Sequence, residues 1–89
     1  MAKINIHPSL SRFTQHQNQF ELDIETPDML IATLCTYYPL LKSTILSAQG
    51  DLIPYVNIYI NGKHLKQCYA QQRLTQDDNI DVLTALVGG

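Results

Sequence analysis

The clearest potential for chemistry lies in the glycine pair Gly88-Gly89, with which the sequence closes. Glycine has no Cβ, so its backbone can approach a partner closely and can adopt positive φ angles, which suits a carboxylate that enters a narrow channel. A carboxylate is a poor electrophile, so acyl chemistry at Gly89 requires activation, most simply as an acyl adenylate made by an ATP-dependent partner. Sulfide or a persulfide can then displace AMP. The alternative interpretation is an inert, frayed end.

The histidines and cysteines predict no further reactive site. His7, His16 and His64 lack the spacing of metal ligands, so we interpret them as solvated or hydrogen-bonding residues. Cys35 and Cys68 form neither a CxxC motif nor a metal-ligand spacing, and in a reducing compartment we expect both to be free thiols. The sequence therefore predicts no metal ligand and no catalytic residue.

The neighbouring carboxylates Asp77 and Asp78 are the remaining candidates for acid-base or cation chemistry. Adjacent side chains in a polar turn point apart, and no further ligands accompany them, so we interpret them as a solvated turn. Since no nucleophile, base and pocket can be assembled from these residues, we expect a protein that is acted on by enzymes and is not itself an enzyme.

Length and composition predict one folded domain over residues 1–89, with residues 86–89 as an exposed functional tail. The chain is 45% hydrophobic and 16% charged, which is an ordinary globular balance. Its net charge is -2 and its basic residues are scattered, so nucleic acid is not an expected partner. The start lacks a signal-peptide pattern, and no apolar run reaches the roughly 20 residues that cross a membrane. We expect a cytoplasmic protein without a membrane partner.

Several segments must position the glycine pair, and their patterns predict strands around a helix. Alternation of apolar and polar residues predicts strands over 3–7, 19–25, 55–60 and 80–85. Residues 9–18 have no sustained period and are expected to be a partly extended connection. This order predicts a mixed sheet that clasps one helix.

The helix is expected to begin at Thr26-Pro27-Asp28, where a hydroxyl can cap the helix and proline suits its first turn. Pro39 should end this helix near Tyr37. A further turn or short helix is predicted over residues 39–49. It would bury three residues: Leu41, Ile45 and Leu46.

Asn61-Gly62 is the dipeptide favoured in a two-residue hairpin turn, since both positions require positive φ. The turn fixes the register of the two strands that it joins. The expected pairs are Ile60 with Lys63, Tyr59 with His64, and Ile58 with Leu65.

Two segments, Tyr55–Gly62 and Asp78–Gly89, resemble the ubiquitin-like sulfur carrier family of the ThiS/MoaD type, and the order of elements resembles it throughout the chain. The family includes carriers for thiamine, molybdopterin and cysteine biosynthesis. The molybdopterin pattern has a proline pair where this chain has Leu83-Thr84-Ala85, and a glycine where it has Asp78. The strand sequence and the extra segment 39–54 are more similar to the cysteine-biosynthesis carrier.

The resemblance implies an α+β, ubiquitin-like β-grasp fold: a mixed sheet of about four to five strands on one main helix, with a flexible C-terminal tail. It implies that Gly89 is adenylated by an E1-like adenylyltransferase, which uses ATP and Mg²⁺, and that it then carries a thiocarboxylate. A sulfur donor protein or sulfide would supply the sulfur, and a biosynthetic enzyme would accept it. The carrier itself would bind no cofactor. The tail that partners thread would comprise Ala85, Leu86, Val87 and Gly88.

Three residues on the outer face of the expected sheet, Tyr59, His64 and Leu83, form a possible docking patch for these partners. Scattered exposed apolar residues are normal, so the patch has a plain structural alternative. Two other functions also remain open. The chain could be a ubiquitin-like modifier that is joined through Gly89 to lysines, or a non-catalytic β-grasp interaction domain.

Overall fold

The computed structural model describes residues 1–84 of the 89-residue chain. The predicted tail, Ala85 to Gly88, and the predicted attachment residue Gly89 therefore lie outside the described residues.

Within residues 1–84, five strands form one mixed, open sheet. They are β1 (Ala2–Ile6), β2 (Gln19–Leu22), β3 (Val56–Ile60), β4 (Lys63–His64) and β5 (Asn79–Thr84). Their order across the sheet is β2-β1-β5-β3-β4. β5 is parallel to β1 and antiparallel to β3. The last of the described strands thus occupies the centre of the sheet, as the predicted mixed topology allows.

Alternation along the strands decides which face is buried. Ile4 and Ile6 of β1, Ile58 of β3, and Ile80 and Val82 of β5 all point into the core and are at most 4% exposed. The intervening residues point to the opposite, outer face. A shift of one residue in any pairing would reverse the two faces, so the buried isoleucines fix the register.

Within residues 1–84 the helical layer contains two short helices, the second of which confirms the further short helix predicted over residues 39–49. α1 (Leu30–Tyr37) and α2 (Pro39–Ile45) meet at Tyr38, which lies outside helical geometry at φ -130° and ψ 80° because it precedes proline. The predicted end near Tyr37 is confirmed. Leu41 and Ile45 of α2 are fully buried, and Leu46 packs against the core.

The predicted helix start at Thr26 is wrong in detail. Pro27–Met29 is a 3₁₀ helix, and α1 begins only at Leu30. The Thr26 hydroxyl donates to the Asp28 carboxylate and caps no backbone N–H group. The residue pattern identified the site where the chain turns into the helix, but not the tighter geometry of that turn.

The connection between β1 and β2 is helical where a partly extended segment was predicted. Pro8–Thr14 forms a 3₁₀ helix, and the His7 ring caps it by accepting a hydrogen bond from the Ser9 backbone (Nδ1 to N, 3.1 Å). Thr14 is fully buried, and its hydroxyl lies 2.8 Å from the Gln17 carbonyl oxygen. Local side-chain bonds to the backbone stabilise a segment whose apolar pattern has no regular period.

The hairpin turn is confirmed at Asn61-Gly62, with φ of 53° and 84°. The two pairs nearest the turn, Ile60 with Lys63 and Tyr59 with His64, have the predicted register. The third predicted pair is wrong, because β4 ends at His64 and Leu65–Gln67 forms a 3₁₀ helix. Leu65 packs against the core from that helix instead of from a strand.

Candidate functional site

The central strand β5 leads directly into the predicted tail. Ile80 and Val82 are fully buried and pair with β1 on one side and β3 on the other. The alternate residues Asp81 and Leu83 point to the outer face of the sheet, and Leu83 is 40% exposed. β5 is paired with β1 over residues 79–82 and with β3 over residues 80–84, so the sheet fixes its position as far as Thr84.

Tyr59 and His64 meet on this outer face beside β5. They are directly opposite each other in the β3-β4 pair, and their rings make an edge contact with centroids 5.3 Å apart. Both side chains are half-buried. Such an edge-on pair presents a fixed, partly apolar surface.

Both ring nitrogens of His64 already have partners. Nδ1 accepts a hydrogen bond from the Lys66 backbone N–H (3.1 Å), so the ring proton of neutral His64 is on Nε2. Nε2 then donates to the Asn57 side-chain oxygen at 3.2 Å. His64 caps the 3₁₀ helix that follows it and orients Asn57, and it is not free to serve as a general base.

Leu83 joins the same face through Asn57, which is its direct partner in the β3-β5 pair. The structure therefore brings the three predicted docking residues, Tyr59, His64 and Leu83, to one side of the sheet, with Asn57 between them. That they bind a partner stays a prediction.

Sequence patterns did not single out the polar residues that surround this patch. Asn5 of β1 donates to the Asp81 carboxylate across the β1-β5 pair at 3.0 Å, and both side chains are half-buried. Asp81 is in turn opposite Tyr59 in the β3-β5 pair. Alternation indicated that these residues lie on the outer face, but the hydrogen bond depends on a strand pairing that the sequence does not specify. The outer face is thus mainly polar, with Tyr59 and Leu83 as its apolar residues.

A group of hydrogen bonds, here called the hairpin clamp, holds the entrance to β5 and comprises Asn61, Thr75, Asp78 and Asn79. The Asn61 side chain donates to the Asp78 carboxylate at 2.7 Å and accepts from the Asn79 backbone N–H at 2.9 Å. Asp78 also accepts from the Thr75 backbone N–H at 2.7 Å.

These bonds lower the pKa of Asp78, the bond from the Thr75 backbone contributing most and that from Asn61 next, while slight burial opposes them. Asp78 is therefore the hydrogen-bonding centre of its turn and is half-buried, whereas the solvated-turn interpretation expected a free, solvated carboxylate. Asp77 next to it takes part through its backbone N–H, which donates to the Thr75 hydroxyl.

The two thiols lie in different surroundings, and both are free, as predicted. Burial raises the pKa of Cys35, and this effect outweighs the opposing charge of Lys42. Cys68 is half-buried, with its sulfur 3.5 Å from the His64 carbonyl oxygen. Among residues 1–84, no three histidine, cysteine or acidic side chains lie together as a metal would require.

Cavities within the described part of the chain are shallow. One of about 360 Å³ lies beside the start of β3 and is bordered by Asp51, Asn57, His64 and Lys66. Its histidine is already engaged on both nitrogens, so these residues do not form an acid-base pair. No helix in residues 1–84 is both long and apolar enough to cross a membrane.

The sheet order, the helical layer and the hairpin together define a ubiquitin-like β-grasp fold, which confirms the predicted fold class. No family model matches the chain, and a search of curated proteins finds no match. Solved structures do match. They are ubiquitin-like proteins of the sulfur carrier and modifier type, as the sequence resemblance predicted.

Three of these structures show the extent of the similarity. CysO from Mycobacterium tuberculosis is 20% identical, with a TM-score of 0.78 over 97% of this chain and 100% of that one. A chain of the BexX/CysO complex from Amycolatopsis orientalis is 18% identical, with a TM-score of 0.79 over 100% of both chains. Small archaeal modifier protein 1 from Methanosarcina acetivorans is 24% identical, with a TM-score of 0.76 over 99% of this chain and 95% of that one. At these identities the similarity establishes the fold alone.

Proposed function

We propose that this protein is a sulfur carrier whose C-terminal residue, Gly89, is activated and converted to a thiocarboxylate. An E1-like adenylyltransferase transfers AMP from Mg²⁺-ATP to the Gly89 carboxylate and releases pyrophosphate. Hydrosulfide then attacks the acyl carbon, a C–S bond forms, and AMP leaves. The thiocarboxylate donates its sulfur to a biosynthetic enzyme. The carrier is a cosubstrate in this sequence, and the catalytic groups belong to its partners.

The observation that carries this proposal is the position of β5. A β-grasp fold whose central strand runs to Thr84 is followed in the sequence by five residues that end in Gly88-Gly89. A strand bonded on both edges gives a partner a rigid reference from which a narrow, Cβ-free pair of residues can enter an active site. Ala85, Leu86 and Val87 form the threaded segment between the sheet and the glycines.

The outer-face patch of Tyr59, His64 and Leu83 is the proposed docking surface for the activating enzyme. It lies on β5 and its neighbours, so a partner that grips it is also close to the start of the tail. Its aromatic pair is fixed by packing and by the His64 hydrogen bonds, which reduces the entropy lost on binding.

Cysteine biosynthesis is the acceptor pathway that we favour. The neighbours include a CysO structure and a chain of a BexX/CysO complex, and this chain departs from the molybdopterin pattern at Asp78 and at Leu83-Thr84-Ala85. In this protein Asp78 accepts three hydrogen bonds, which the glycine of the molybdopterin pattern could not accept.

Intact mass spectrometry tests the proposal directly. The full-length protein is incubated with its cognate E1-like enzyme, Mg²⁺-ATP and sodium sulfide. We expect a mass gain equal to one oxygen-to-sulfur exchange, located in the C-terminal peptide and dependent on ATP. A variant with one serine added after Gly89 keeps the whole fold but removes the reactive carboxylate from glycine, and it should gain nothing. Equal gains in both proteins, or none in either, would refute thiocarboxylate formation at Gly89.

A second function is favoured by the match to small archaeal modifier protein 1, the most identical of the three structures described above. Activated Gly89 would then form an isopeptide bond with a lysine amine. Arg73 is the last basic residue, so trypsin would leave Leu74–Gly89 as a branch on the modified lysine. Detection of that branch on other proteins in cells, and its loss when Gly89 is deleted, would establish modification. Absence of the branch alongside thiocarboxylate formation would leave the carrier function alone.

A further inference from the structure

The hairpin turn Asn61-Gly62 combines a favoured turn sequence with an inherent chemical weakness. In a flexible chain, the backbone nitrogen after an asparagine can attack the side-chain carbonyl carbon, and glycine presents least obstruction because it has no Cβ. The attacking amide loses its proton to solvent base, an N–Cγ bond forms, and the Cγ–Nδ2 bond breaks with release of ammonia. Water then opens the cyclic imide to an aspartate or isoaspartate. Both residues of this turn are exposed to water.

The folded chain holds the reacting side chain in the hairpin clamp. Nδ2 of Asn61 donates to the Asp78 carboxylate at 2.7 Å, and Oδ1 accepts from the Asn79 backbone N–H at 2.9 Å. The Asn61 backbone N–H also donates to the Asn79 carbonyl at 2.8 Å. Both the nitrogen and the oxygen of the Asn61 side-chain amide are therefore bonded to residues at the start of β5.

We infer that Asn61 is a latent deamidation site that the hairpin clamp keeps closed in the folded protein. The side chain can turn toward the Gly62 nitrogen only after its bonds to Asp78 and Asn79 break. Opening of the clamp is thus the step that permits the reaction. A deamidated Asn61 would therefore mark a chain in which the hairpin clamp had opened. This inference does not depend on the chemistry proposed at Gly89.

The product could not restore the clamp. A carboxylate at position 61 has no N–H group to donate to Asp78, and it would place a second negative charge beside the Asp78 carboxylate. The bond from the Asn79 N–H could persist, but the attraction that joins the hairpin to the turn before β5 would become a repulsion. A chain that opens and is modified would therefore hold the entrance to its central strand less firmly.

A comparison of the folded and unfolded wild-type protein tests the inference without any substitution. The full-length chain is incubated at one mildly alkaline pH with and without denaturing urea, and deamidation of the peptide containing Asn61 is followed by mass spectrometry. Because two side-chain hydrogen bonds must break first, we expect the folded protein to react at least about tenfold more slowly. Equal rates in the two states would overturn the inference.

Substitutions at the two neighbouring carboxylates test the part played by Asp78. Asp78→Ala removes the acceptor of the Asn61 amide and should accelerate deamidation of the folded chain several-fold. Asp78→Asn keeps a side-chain oxygen acceptor and should accelerate it less. Asp77→Ala is the matched control, since only its backbone joins the turn, and it should leave the rate unchanged.

Circular dichroism establishes which variants are folded, and all should react equally in urea. If folded Asp78→Ala and folded Asp78→Asn both deamidated at the wild-type rate, the role of Asp78 would be overturned.

Discussion

Asp78 provides the sharpest test of how the entrance to β5 is stabilised. Asp78→Ala removes the acceptor of two short hydrogen bonds, from Asn61 Nδ2 and from the Thr75 backbone, both 2.7 Å, and of a weaker one from the Thr75 hydroxyl at 3.4 Å. Each short bond contributes about 1 kcal/mol net, and the partial exposure of Asp78 keeps the sum toward the low end. We expect the free energy of unfolding to fall by about 1–2 kcal/mol.

Urea unfolding followed by circular dichroism measures this change as a lower midpoint with an unchanged slope. In a domain of this size, a thermal midpoint about 5–10 °C lower should accompany it. Asp77→Ala is the matched control, because the Asp77 side chain is outside the clamp, and its midpoint should equal that of the wild type.

The pH dependence follows from the direction of the Asp78 pKa. Its hydrogen bonds lower the pKa of this carboxyl in the folded chain below the unfolded value. The stabilisation is therefore fully present above the unfolded pKa of about 3.9 and is lost as the pH falls through the lower, folded pKa. The wild type and Asp78→Ala should differ at neutral pH and converge in acid. An equal midpoint at neutral pH, or a difference that persists in strong acid, would refute this account of the clamp.

Three further predictions concern the core, the outer face and the buried thiol. Ile58→Ala should lower the free energy of unfolding by about 2–5 kcal/mol because Ile58 is fully buried. Tyr69→Ala, at an 80% exposed position, is the control and should change the free energy of unfolding by at most about 0.5 kcal/mol. Urea unfolding of both variants checks this prediction. Leu83→Ala should lower kcat/KM for adenylation about fivefold, as measured by ATP–pyrophosphate exchange. Leu40→Ala, at an exposed position on a helix, is the control and should leave kcat/KM unchanged. Equal effects of the two substitutions would argue against the docking patch. Cys35 is buried, and burial raises the pKa of its thiol. Its alkylation by iodoacetamide at neutral pH should therefore be at least tenfold slower, roughly, in the folded chain than in urea. Peptide mass mapping measures the two rates, and similar rates would contradict the burial of Cys35.

Strands and the hairpin were predictable because their signals are local. The alternation of isoleucines over β1 and β3 requires only neighbouring residues, and Asn61-Gly62 specifies both a turn and the register beside it. The outer-face patch followed from the same periodicity. These features depend on residues that are close together in the sequence, so they can be predicted without knowledge of the rest of the fold.

Other features depend on residues that meet only after folding. The hydrogen bond between Asn61 and Asp78 joins residues that are 17 positions apart in the sequence, and the bond between Asn5 and Asp81 joins residues 76 positions apart. No local sequence pattern predicts either bond. β4 is short because Leu65 is drawn into the core from a 3₁₀ helix, a tertiary preference that overrides the alternation. The 3₁₀ helix after β1 did have a local signal, the His7-Pro8-Ser9 cap, but its buried residues Leu10 and Thr14 do not repeat regularly.

The central position of β5 also has a consequence for synthesis on the ribosome. Among the described strands, β1 is translated before its parallel partner β5, and β2, β3 and β4 lie between them in the sequence. Until Asn79–Thr84 leaves the exit tunnel, the β1-β2 pair and the β3-β4 pair cannot be joined, and β1 and β3 each present an unsatisfied edge. A nascent chain that stalls before this point should therefore be a substrate for chaperones and proteases. Pairing of β5 with both β1 and β3 is the step that joins the two halves of the sheet.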